Sequence, residues 1–105
     1  MSYEVYATES FEKEIKKLSP KDKKALQKIF SQLKENPYVG DAIRFKFFRE
    51  KRLREKRIYY LVYDDFCVVL LTAFGGKKAQ QETINKILEM LPEFKEYIKK
   101  ILGKN

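Results

Sequence analysis

Histidine and tryptophan are missing from these 105 residues, cysteine occurs once, and proline and glycine together supply seven. Without histidine the chain lacks the usual general base near neutral pH and the commonest metal ligand, so any catalysis falls to other groups. The lone cysteine, Cys67, excludes an internal disulfide framework. Its scarcity and the polar, charged start of the sequence point to the cytoplasm. The longest apolar run, Phe66 to Phe74, is nine residues, well short of the roughly 20 a spanning helix needs, and no membrane segment is expected. Asp64 and Asp65 lack a neighbouring third ligand, which makes a poor metal site, and no cofactor is expected.

What is present is apolar bulk and positive charge. A hydrophobic share of 44% with fifteen aromatics is enough for one ordinary core, so residues 1–105 read as a single domain. The formal charge is +8. Arg44 to Arg57 holds eight cations and two anions, six of those eight net charges. Five of its cations are arginines, whose guanidinium grips phosphate through paired donors. A solvated edge that resists strand pairing would also be basic, but needs less charge. Nucleic acid, RNA above all, is the expected partner.

The periodicity gives the order of elements. Tyr3 to Ala7 alternates as a short strand, and Phe11, Ile15 and Leu18 recur at helical spacing behind Thr8 or Ser10 as N-cap. Ser19-Pro20-Lys21-Asp22 opens a second helix carrying Leu26, Ile29 and Leu33, and Asn36-Pro37 ends it. A strand follows within Ile43 to Leu53, then a turn near Arg54-Glu55, a strand from Lys56 to Tyr63, and a turn at Asp64-Asp65. The strand Phe66 to Phe74 is apolar on both faces and is placed in the middle of the sheet, with helices over one side and Cys67 buried and inert within it. Gly75-Gly76 stops it. Ile84, Ile87, Leu88 and Leu91 mark a third helix, and Pro92 starts a fourth. The expected fold is α+β: a small antiparallel sheet, β-α-α-β-β-β-α, with two N-terminal helices packed on it and residues 92–105 as a C-terminal helical extension. That extension would cover the sheet, or dock a partner or a second copy as a homodimer.

Candidate site residues cluster around these strands. Gly75-Gly76-Lys77-Lys78 releases two lysines at a strand end where they would converge with Arg57 on a phosphate, unless the motif is a plain turn. Tyr60 shares a strand face with Ile58 and Val62 and reads as core. Tyr59 and Tyr63 lie on the other face, where a base could stack.

The block from Arg57-Ile58-Tyr59-Tyr60-Leu61-Val62-Tyr63-Asp64-Asp65 through the apolar strand to Gly75-Gly76-Lys77-Lys78 resembles the RelE/ParE superfamily of toxins from type II toxin–antitoxin systems. The likeness covers residues 1 to about 91 and includes a HigB-like aspect over Gly75 to Gln81. It implies a ribosome-dependent mRNA endoribonuclease without metal, neutralised by a cognate acidic antitoxin. The resemblance maps the family's strand arginine to Arg57 and its later basic residue to Lys77, with the upstream basic positions among Arg49, Lys51, Arg52 and Arg54. The expected catalytic set is Arg57, Lys77, Lys78, Arg52 and Arg54, and on charge and strand parity Arg44, Lys46, Arg49, Lys51, Lys56 and Tyr59 are expected to hold RNA. The stretch Ala79 to Thr83 lacks the tyrosine or histidine usual in RelE-type enzymes, so a lysine (Lys78, Lys51 or Lys56) would serve as base, or the activity is weak. A ParE-like gyrase inhibitor and a non-catalytic nucleic-acid-binding domain are the competing readings.

Overall fold

The computed structural model describes residues 2–76 and 80–103. Thr8 caps the first helix by accepting from the Phe11 amide at 3.2 Å, and Ser19 caps the second by accepting from Asp22 at 3.1 Å, with Pro20 in the first turn. Both caps satisfy amides that a helix start otherwise leaves unpaired. The elements are β1 (Glu4–Ala7), α1 (Glu9–Lys16), α2 (Pro20–Glu35), β2 (Asp41–Ile43), β3 (Phe45–Leu53), β4 (Lys56–Tyr63), β5 (Val68–Gly75), α3 (Gln80–Glu89) and α4 (Leu91–Ile101).

The five strands form one sheet in the order β1-β5-β4-β3-β2. The expected meander is there: β3, β4 and β5 pair antiparallel through short turns. In addition, β1 runs parallel to β5, with Glu4 opposite Val68. Parallel neighbours need a long crossover, and the intervening helices and strands supply it. The short strand β2 is a second addition to the expected fold; Arg44, with φ 62°, turns the chain between Ile43 and Phe45.

Helices cover both faces rather than one. Phe11, Leu26 and Leu33 of α1 and α2 pack on Leu53, Ile58, Tyr60, Val62, Val69 and Leu71. On the opposite face Ile84 and Ile87 of α3 meet Phe48, Tyr59 and Leu61, and Ile98 of α4 meets Val68 and Leu70. Two covered faces explain why β4 from Ile58 to Val62 and β5 from Val68 to Leu71 carry no charged residue and are apolar or aromatic at every position. The face of α4 carrying Phe94 and Ile98 therefore packs on the sheet, while Tyr97 and Ile101 stay exposed.

One further expectation changes. Cys67 lies ahead of β5 rather than inside it, half-exposed, with φ 53° after a 3-10 turn over Asp64–Phe66. Asp64 fastens the N-terminal segment, accepting from the hydroxyls of Tyr3 at 2.8 Å and Tyr38 at 2.6 Å. Those bonds hold its carboxyl below the usual carboxylate range. Burial, with the bond to Asp64 second, pushes Tyr38 up to about 12. Among the described residues no helix is long and apolar enough to cross a membrane, and no acid, cysteine or histidine cluster could hold a metal ion.

Candidate nucleic-acid interface and cleavage site

The ladders decide which cations meet. Arg52 sits directly opposite Arg57, and Arg57 opposite Gly75, so three adjacent strands bring these positions into one row. Facing arginines repel, and Glu50, two residues from Arg52 on the same face, offsets this with a 2.6 Å ion pair to Nη1 of Arg57. A bulge sets this row: Tyr59 pairs with Ala73 but Tyr60 with Leu71, and Thr72 donates its hydroxyl to the Tyr59 carbonyl at 2.9 Å. The extra residue twists β4 and β5 where they leave the core.

Arg57, Arg52, Lys51, Glu50 and Asp41 line one polar cleft of about 240 Å³, closed by Val39 and Gly40. Tyr60 holds the loop over it, donating to the Pro37 carbonyl at 2.8 Å and accepting from the Gly40 amide at 3.1 Å. Gly40 must be glycine, because an added Cβ would lie 2.2 Å from the Glu50 carbonyl oxygen. At the other side, a Cβ on Gly75 would fall 2.7 Å from the Tyr59 ring. Lys77 and Lys78, expected to complete the site, lie outside the described residues.

Other expected site residues are used differently. Arg54 occupies the β3–β4 turn with φ 56° and pairs through Nε with Asp22 of α2 at 2.9 Å, and Lys56 reaches the same carboxylate at 3.4 Å. This separates Arg54 and Lys56 from Arg57, since α2 packs on the opposite face of the sheet. Arg49 is not a free cation for RNA: its guanidinium donates to the carbonyls of Gly40, Tyr38 and Lys46 and lies over the Tyr38 ring. Tyr59 is fully buried against Phe48 and cannot offer a face to a base. Tyr63 is mostly enclosed, and burial pushes its hydroxyl far up.

Arg44 and Lys46 remain exposed, Lys46 with its ammonium 5.1 Å above the Tyr38 ring. Between and beside them Phe45 and Phe47 stack at 5.1 Å between centroids, both more than a third exposed. These rings, not Tyr59, are the aromatics available to a base. The signal was legible in Phe45-Lys46-Phe47, because alternate strand residues share a face.

No family model and no curated protein matches the chain. Solved structures do. The free Escherichia coli toxin RelE, as a double mutant, is 25% identical, with a TM-score of 0.68 over 77% of this chain and 90% of that one. This chain has the RelE fold. RelE in the archaeal RelE–RelB complex of Pyrococcus horikoshii superposes with a TM-score of 0.63 at 18% identity, over 74% of this chain and 98% of that one. The toxin–antitoxin complex RelBE2 of Mycobacterium tuberculosis gives 0.64 at 22%, over 73% and 100%. The chain is thus similar to RelE toxins across nearly their whole length, and its polar cleft lies on the meander of that RelE fold.

Proposed function

We propose that this chain is a cytoplasmic toxin of a type II toxin–antitoxin pair and cleaves mRNA on the ribosome by promoting attack of a 2′-hydroxyl on the adjacent phosphate. The observation that carries the reading is the row Arg52, Arg57, Gly75 beside a polar cleft on a RelE fold. The reaction leaves a cyclic phosphate and a 5′-hydroxyl, so the protein supplies alignment, charge stabilisation and proton transfer. Arg57 and Arg52 would hold the phosphate, with Lys77 and Lys78, which follow Gly75-Gly76 in the sequence, as the further cations of the set. Arg44 and Lys46, with the Phe45–Phe47 stack, would hold flanking RNA or ribosome.

The neutralising partner would be an acidic antitoxin, since a charge of +8 favours a partner of opposite sign. RelE toxins are solved with RelB antitoxins. A groove beside the free edge of β1, lined by Val5, Ala7, Ile15, Phe30 and Ile101 with Glu12 as its one charged residue, would take a mainly apolar segment of that partner. A ParE-like gyrase inhibitor or a weakly active member of the fold is the second reading, favoured by the Arg57–Glu50 pair, which partly neutralises the central cation.

Expression of the wild-type chain with primer extension on translated mRNA tests the proposal. Cuts within codons that vanish in the folded Arg57→Ala, Lys77→Ala double mutant are expected; undiminished cleavage by that mutant removes the assignment. A DNA-damage response with intact mRNA decides for the second reading.

A further inference from the structure

The run Tyr63-Asp64-Asp65-Phe66 sets two carboxylates between two aromatics where β4 ends. The 3-10 turn over Asp64–Phe66 folds the run back, so that the Tyr63 and Phe66 rings stand 6.5 Å apart between centroids at 34°. Phe47 of β3, with Leu91 and Pro92 at the start of α4, bounds the space beside them. The result is a cavity of about 430 Å³, which Asp64, Asp65 and Lys95 also line. It shares no residue with the polar cleft around Arg57.

Three aromatic rings and two carboxylates around one cavity attract an organic cation in two ways, through the negative ring faces and through full negative charge. Asp64 is oriented by the hydroxyls of Tyr3 and Tyr38, neutral donors that fix the carboxylate without cancelling its charge. Both of its oxygens keep room for a further donor. Asp65 is exposed, and among the described residues neither aspartate forms an ion pair. Lys95 forms none with them either, so the carboxylates stay available. On a chain of formal charge +8 this cavity is locally reversed in sign, and a phosphate is disfavoured there. Val62, Leu91 and Pro92 add an apolar wall that a hydrated metal ion could not use but methylene groups could.

We propose that this cavity binds an alkylammonium group, its cation against Asp65 and the Tyr63 and Phe66 rings and its methylenes along Val62, Leu91 and Pro92. Two sources carry that chemistry, a free polyamine and a lysine side chain of a protein partner. The site is opposite in sign to the RNA face and stands whether or not the chain cleaves mRNA. Lys95 is the one cation that lines it and competes with the ligand.

The test is calorimetric titration of the full chain at physiological salt with spermidine and, separately, with Nα-acetyl-lysine amide. One-to-one binding of spermidine alone assigns a polyamine, and comparable binding of the lysine derivative assigns a partner's side chain. Asp65→Asn and Phe66→Leu should each weaken binding by roughly threefold to thirtyfold, and Lys95→Met should tighten it. No binding of either probe overturns the proposal, as does binding unchanged in Asp65→Asn or weakened in Lys95→Met. Displacement of spermidine by an equal concentration of magnesium ion marks surface charge alone and overturns it too. Should Phe66→Leu fail to fold, amide shifts in the labelled wild-type chain decide: changes centred on Tyr63 to Phe66 and Leu91 support the site, and changes confined elsewhere overturn it.

Discussion

Arg49 lies with its guanidinium carbon 5.1 Å from the centre of the Tyr38 ring while its nitrogens bind three backbone carbonyls. The residue is a fastener for the loop that walls the polar cleft. Arg49→Ala should therefore lower stability by about 1–3 kcal/mol through the carbonyls left unpaired, seen as a lower urea midpoint. Its effect on the salt dependence of RNA binding should be small.

Arg44 and Lys46 behave in the opposite way. Arg44→Ala or Lys46→Ala should leave the melting temperature nearly unchanged and reduce the log–log salt slope of single-strand binding by about 0.7 for each phosphate no longer neutralised. An unchanged slope in both would remove them from the interface.

Gly40→Ala forces a Cβ into the Glu50 carbonyl and the Tyr60 hydroxyl. Overpacking of this kind costs about 1–3 kcal/mol, which corresponds to a drop of several degrees in Tm for a domain of this size. Tyr59→Phe is the contrast. It removes a hydroxyl that has no partner, so the melting temperature should hold or rise.

The Tyr3–Asp64–Tyr38 fastening carries a pH signature. Asp64 has a depressed pKa in the folded chain, so its contribution is present above its unfolded value of 3.8 and is lost as pH falls through the lower folded value. Tyr38→Phe should remove the larger of the two hydroxyl bonds that lower it and flatten the loss of stability below about pH 4. Denaturant titrations across that range check the slope.

Ile101→Asp introduces an anion on the exposed groove beside β1, where Ile101 is 39% exposed. If the proposed acidic antitoxin docks there, the variant should weaken its binding by about 1–3 kcal/mol while leaving the monomer's melting temperature close to wild type. Titration calorimetry with the partner gives the answer.

Much of the fold was legible because its signals are local. The caps at Thr8 and Ser19, the two-residue turn at Arg54-Glu55, and Pro92 in the first turn of α4 all follow from residue chemistry within a few positions. The parallel pairing of β1 with β5 was not legible, because nothing in Tyr3 to Ala7 names a partner more than sixty residues away. The site divides along the same line. Arg57 beside Gly75 follows from the unbroken strands, whereas Glu50 reads in the sequence as one anion in a basic run. Its importance comes from the ladder that sets it against Arg57 and Tyr59. Likewise, strand parity gave Tyr59 and Tyr60 opposite faces but could not reveal that α3 covers the first and α2 the second.

The pairing of β1 with β5 has a kinetic consequence. The cleft is built on a local meander, but the first strand synthesised waits for Val68 to Leu71 before it has a neighbour. Loop-closure entropy over that span makes the docking of β1 a late step. The groove beside β1 needs Tyr97 and Ile101 of α4 as well as β1 itself, so it is complete only after the meander has formed. The polar cleft, whose lining ends at Arg57, can thus form before the groove does.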